Sequence, residues 1–223
     1  MLGRIDTPQL NNPDQTPQLA IRRWLEAAGN TGLLFRLKGA DRKRWGIHYY
    51  LREIALAQYG ADLAFRRIGE TAEDRKSETS HHEELAAIAT GHHDVHAFLV
   101  ASHLYWRLTR CLGKLLPPEL ISKDLDRFKE AIQQTKTARD HIEHLDERVS
   151  DGRPEKWGGA MEPAEFRCAS GIYTAVSVQF GSELFDLRLI AEAIVDSSAL
   201  FSRRISQASS LNATVTTRPS DVS

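Results

Sequence analysis

Apolar positions recur with a helical period along most of the chain. Ile47, Leu51, Ile54, Ala61, Phe65 and Ile68 stand three, four or seven apart, the stripe of one amphipathic helix running from about Ile47 to Ile68. Gly69 and the polar run that follows it, GETAEDRKSETS, predict a loop. Leu85, Ile88, Val95, Leu99, Leu112 and Leu116 keep the period and predict a helix from His82 to Leu116, with Gly91 as a kink. Pro117 and Pro118 stop it, because proline lacks a backbone donor and pushes the residue before it out of the α region. Ile121, Leu125, Phe128, Ile132, Thr135, Arg139, Ile142 and Val149 predict the next helix, from Glu119 to Val149, closed by Asp151–Gly152 and Pro154. Ahead of these, a short helix starts at Pro17 after a capping Thr16 and ends at Gly29. Residues 30–45 read as a loop with a brief helical turn.

After a Gly/Pro-rich stretch, 150–165, the texture changes. FRCASGIYTAVSVQFGSELFDLR is rich in β-branched and aromatic residues, with Gly181–Ser182 between two runs, and predicts a hairpin over 171–187. A last helix is expected over 188–205. Long helices with short or polar breaks define the fold class as all-α, an antiparallel helical bundle with a small β-hairpin inserted before the last helix. The bundle is expected over 17–205, with 1–16 and 206–223 as disordered tails too polar to bury.

Composition narrows the function classes. The 223 residues suit one domain with tails, long enough to bury a core without metal or disulfide staples. Lys+Arg total 29 against 30 Asp+Glu, a formal charge of −1, which excludes a polybasic coat and confines any nucleic-acid site to a local patch. No apolar run approaches the length of a membrane span, and the N-terminal residues lack the apolar core of a signal peptide. Cys111 and Cys168 read as reduced thiols, so a cytoplasmic protein is expected. There is no phosphate-loop pattern, no Gly-x-Gly-x-x-Gly and no Gly-x-Ser-x-Gly, so no cofactor is indicated.

The most informative break in pattern is Arg139, a cation on an apolar stripe. A buried guanidinium is costly, so it must find a partner, reach solvent, or face an interface or cleft. Around it runs TARDHIEHLDERV, residues 137–149. Asp140 and His144 are four apart, so the carboxylate can hydrogen-bond the imidazole and fix its tautomer. Arg139 and His144 are five apart, roughly 140° around a helix, and can flank a groove. Arg139-Asp140-x-x-x-His144 resembles the Arg-x(4–6)-His motif of the HEPN superfamily, which favours a polar residue straight after the arginine. The context IEHLDERV is similar to the motif helix of uncharacterised bacterial HEPN-like proteins. The specific likeness covers about a dozen residues, and the bundle architecture extends it loosely over roughly 46–205. Other Arg-x(4–6)-His matches, Arg42 to His48 and Arg75 to His81 or His82, are followed by lysine and lie in or beside expected loops.

The resemblance implies a helical-bundle homodimer in which two copies of the motif form one cleft. It also implies RNA as substrate, metal-independent cleavage, and toxin–antitoxin or phage-defence roles with an antitoxin or defence partner. Under it, Arg139 stabilises charge on the scissile phosphate, Asp140 orients His144, and His144 moves the proton of the ribose 2′-OH. A non-catalytic HEPN-like module that binds RNA or a protein is the alternative.

Two further constellations stand apart. His92, His96 and His103 share one stripe with Leu99, and His-x(3)-His can hold a transition metal if Glu84, Asp94 or His144 completes the set. That pattern leaves open a metal-binding four-helix protein, or a polar seam between helices. Finally, Arg36, Lys38, Arg42, Lys43 and Arg44 lead into Trp45, a cationic and aromatic mixture suited to single-stranded RNA, or a solvated loop that Trp45 anchors to the core.

Overall fold

A computed structural model describes residues 17–38, 42–74, 81–143, 177–180 and 183–215. Side chains are described over 17–29, 45–71, 89–140, 177–178 and 184–208. The described elements are α1 (Pro17–Lys38), α2 (Arg42–Asp74), α3 (His81–Gly113), a 3-10 turn (Ser122–Asp124), α4 (Leu125–Glu143), β1 (Ser177–Phe180), β2 (Glu183–Asp186) and α5 (Leu187–Val215). The chain is therefore an all-α bundle with a two-stranded hairpin before the last helix. No helix among the described residues is long and apolar enough to cross a membrane.

The chain divides into two compact units. The first contains α1, α2 through Tyr59, α3 from Tyr105, the connector and α4 through Phe128, and α5 from Ile194. Its core is built on Trp24, Leu51, Ile54, Tyr105, Leu112, Ile121 and Phe201. Gln58 donates to the Pro17 carbonyl, and His48 Nδ1 lies 2.7 Å from the Ala28 carbonyl. The two contacts run in opposite senses along the helices, so α1 and α2 are antiparallel. A carbonyl only accepts, so His48 carries its proton on Nδ1. Arg204 pairs with Asp124, and Phe128 meets Phe201 edge-on at 5.9 Å, which makes α4 and α5 antiparallel as well.

The second unit contains α2 from Gly60, α3 through Leu104, α4 from Lys129, the hairpin, and α5 through Ala193. Ile68, Val95, Phe98, Leu99, Ile132, Val178, Phe185, Leu187 and Ile190 form its core. A methyl on Gly60 would touch Ala101, Phe65 packs on Phe98, and Arg67 reaches Asp94. That descending register makes α2 and α3 antiparallel here. In the hairpin Val178 pairs with Phe185 and both are buried, while Leu184 on the other face is exposed, the period-two alternation of a half-covered ribbon. Asp186 then caps α5 by accepting the Leu189 N–H at 2.8 Å.

Several element bounds differ from the sequence expectation. α1 passes through Gly29 to Lys38 rather than ending there. Glycine in a helix costs about 1 kcal/mol relative to alanine but does not stop it, and Gly29 keeps an ordinary backbone conformation. Much of the expected loop over 30–45 is thus the end of α1 and the start of α2. α3 ends at Gly113, before Leu116, and α4 starts at Leu125 rather than Glu119. Ser122 donates to the Gly113 carbonyl at 2.7 Å, and Ile121 is fully buried. Both ties draw the connector against the end of α3, and Ile121 is held outside the helical region at φ −136°, ψ −58°. A Cβ on Gly113 would stand 3.1 Å from the Ser122 hydroxyl and 3.2 Å from an Ile121 methyl, tighter than ordinary contact, so these side chains would have to give by a few tenths of an ångström. α5 continues past Ile205 to Val215, into the stretch expected to be a disordered tail. No Gly or Pro interrupts the chain between Ile205 and Pro219.

Candidate functional site

α4 carries the residues singled out by the broken stripe. Its buried side runs Phe128, Ile132, Thr135, Ala138. The Thr135 hydroxyl is satisfied locally, donating to the Ile132 carbonyl at 2.6 Å. From Thr135 the buried line passes to Ala138, so Arg139 stands at the edge of the core face rather than inside it. Its side chain is 21% exposed and that of Asp140 28%. Arg139 donates from a terminal guanidinium nitrogen to Asp140 Oδ1 at 2.7 Å. Sequence reasoning asked for a partner or an outlet for Arg139, and the structure supplies both. It missed which partner: the spacing favours i,i+4 pairs, and a contact between adjacent residues carries no periodic signal. His144 lies outside the described residues, so its expected contact with Asp140 does too.

The histidine stripe of α3 is half-buried. His92, His96 and His103 are all partly covered, and Leu99 between them is fully buried. Burial lowers the His92 pKa below its usual value, and the neighbouring His96 and His93 lower it further. Asp94 does not join this set. Two residues from both His92 and His96, it projects from another side of the helix, buried and 3.3 Å from Arg67 Nε. Among the described residues no group of three His, Cys, Asp or Glu side chains is placed to hold a metal. Glu84 and His144, the other expected ligands, have no described side chains.

The basic and aromatic segment is partly described. Arg36 and Lys38 lie on α1, and Arg42, Lys43 and Arg44 on the first turn of α2, but their side chains lie outside the described set. Trp45 is 52% exposed and meets the His48 ring edge-on at 5.9 Å. It therefore does not anchor a loop to the core. Tyr49, one turn on and also exposed, has Tyr50 beside it at 6.0 Å between ring centroids. Cys111 is a half-buried free thiol, and Cys168 lies outside the described residues.

Comparison with protein-family models, with curated proteins and with solved structures finds no match to this chain.

Proposed function

We propose that the chain is a HEPN-like, metal-independent endoribonuclease of the toxin or phage-defence kind, cytoplasmic and homodimeric, with Arg139, Asp140 and His144 as its working residues. The observation that supports this reading is the position of Arg139. It sits at the edge of the buried face of α4, partly exposed, and is held by the carboxylate of Asp140. A guanidinium fixed in this way is set to face a phosphate without first paying the full entropy of a free arginine side chain. His144 follows five residues later in the sequence.

In this reading His144 takes the proton of a ribose 2′-OH. The 2′-oxygen bonds to phosphorus, the bond to the 5′-oxygen breaks, and that oxygen leaves with a proton from the partner copy's motif. Arg139 stabilises the negative charge that builds on the phosphate oxygens. The products are a 2′,3′-cyclic phosphate and a 5′-hydroxyl. DNA lacks the nucleophile and survives.

A second reading, a non-catalytic RNA- or protein-binding module, is favoured by the same ion pair, because Asp140 offsets the charge Arg139 would offer a phosphate. RNA digestion in EDTA with end-group analysis separates the two. Cyclic ends from the unaltered chain, lost by about 100-fold or more in His144→Ala, support the nuclease. No cleavage of any RNA by the folded chain would overturn it in favour of the binding module.

A further inference from the structure

A helix in a bundle buries one side, and α2 does so in the first unit with Leu51, Ile54 and Ala55. Its outer side is not the usual charged one. Trp45, Tyr49, Leu56 and Tyr59 are 52%, 56%, 50% and 51% exposed. With Arg52 they follow spacings of four, three, four and three, a single face about 21 Å long. The Arg52 side chain is 62% exposed, and its nearest acid, Glu53, is 3.8 Å away, a loose contact. Three large rings and a central cation therefore line up on the surface of one helix.

We propose that this face is a stacking strip for single-stranded RNA, an inference that rests on the nuclease reading and names how its substrate is held. Base rings stack on Trp45, Tyr49 and Tyr59, and Arg52 meets the backbone between them. Charge favours this occupant. Over residues 41–62 the sequence has four Lys or Arg, at Arg42, Lys43, Arg44 and Arg52, against three acids, Asp41, Glu53 and Asp62, and of the acids only Glu53 lies between Trp45 and Tyr59. Three of those cations, Arg42, Lys43 and Arg44, gather at the end of the strip that Trp45 begins, and Arg52 stands at its centre. A second copy of the chain fits less well. The strip is symmetric about Arg52, so antiparallel self-pairing would set Arg52 against Arg52 at the centre of the contact.

The test is affinity of the full chain for an unstructured 12-nucleotide RNA, in the wild type and in the His144→Ala background where the RNA is not cut. Trp45→Ala and Tyr49→Ala each weaken binding roughly 5- to 100-fold, while Trp45→Phe keeps most of it. Arg52→Gln makes the slope of log affinity against log salt shallower by about 0.7. All these positions are exposed, and unchanged helix content by circular dichroism shows that the fold is kept. The proposal is overturned if the wild type does not bind the RNA. It is equally overturned if the ring variants bind as tightly as the wild type, or change only the association state, which would make the face a contact between copies. Ring-dependent binding without cleavage leaves the strip standing and removes the nuclease. Cleavage that the ring variants leave intact, with unchanged affinity, removes the strip alone.

Discussion

The indole nitrogen of Trp24 donates to the hydroxyl of Ser198 across 2.6 Å, tying α1 to α5 inside the core of the first unit. Ser198 in turn donates to Gln58 on α2, and Gln58 donates to the carbonyl of Pro17 at the start of α1. Trp24, Gln58 and Ser198 are all fully or almost fully buried. Alongside runs a second polar contact, the Tyr105 hydroxyl against Ser197 at 2.9 Å, and burial pushes the Tyr105 pKa well up, keeping the phenol protonated. Hydroxyls in a helix core are tolerated here because each of these finds a partner on another helix.

Ser198→Ala removes one hydroxyl and strands two groups, the Trp24 N–H and the Gln58 carbonyl oxygen. Each buried orphan costs about 1–3 kcal/mol, so the variant loses roughly 2–6 kcal/mol of unfolding free energy in urea titration. Ser198→Ala with Trp24→Phe and Gln58→Leu removes all three polar groups and recovers part of the loss. A single-variant loss under about 0.5 kcal/mol would mean that the seam is not the tie described.

In the second unit Asp94 is buried on α3, with one oxygen near Arg67 and the other without a hydrogen-bond partner. Arg67 is about half exposed and can turn to water when Asp94 is lost. The two deletions are therefore unequal. Arg67→Ala leaves a buried carboxylate with no counter-charge and costs on the order of 3 kcal/mol. Asp94→Ala removes the charge together with its desolvation and costs much less, about 1 kcal/mol or under. Paired denaturation curves test this order, and equal losses would refute it.

The helical period places α2, α3 and α4, because their buried faces repeat along the sequence, and the hairpin is legible from its β-branched and aromatic composition around Gly181–Ser182. Element ends were less legible. α1 runs through Gly29 because a single glycine penalty is smaller than the gain from continuing the helix, and α4 starts late because Ile121 and Ser122 are drawn onto Gly113, a contact with no local sequence signal. At the site, Arg139 stands out as a cation on an apolar stripe and Asp140 by its spacing from His144, while the pairing of Arg139 with Asp140 does not, since neighbouring residues carry no periodic mark. The outward ring of Tyr59 has no sequence signal for a related reason. Aromatic residues on a helix read as core, and only exposure separates a surface ring from a buried one.

Acid should weaken the second unit through His92. Its pKa is lowered in the fold by burial and by the nearby His96 and His93, so the folded state binds the proton less readily than the unfolded chain. The stability that neutral His92 contributes is therefore full above the unfolded value of 6.5 and is lost as pH falls through the lower folded pKa. Asp62 acts the other way. Burial, the larger influence, raises its pKa above 3.8 against the pull of Arg66, so its carboxylate disfavours the fold at neutral pH and that penalty lifts as pH falls through the raised value. Urea midpoints measured from pH 7.5 down to 5 should fall for the wild type and fall less for His92→Gln. Asp62→Asn should not remove that slope. Parallel curves for wild type and His92→Gln would exclude His92 as the cause.

Asp140 separates stability from function. Its pair with Arg139 is partly exposed, so Asp140→Asn should change unfolding free energy by no more than about 1 kcal/mol. Under the nuclease reading, the same change releases the guanidinium from its charged partner and alters the imidazole's surroundings, and kcat for RNA cleavage should fall by roughly 10- to 1,000-fold. KM should move less, because Asp140 is argued to position its neighbours rather than to touch the substrate. The pH profile carries the distinction: if Asp140 supports a protonated His144, the acidic limb of cleavage shifts toward lower pH in Asp140→Asn, since removing an adjacent anion favours neutral imidazole. A variant with unchanged kcat and pH profile would leave Asp140 as a tether for Arg139 alone. A variant that loses stability in proportion to activity would make the pair a structural one.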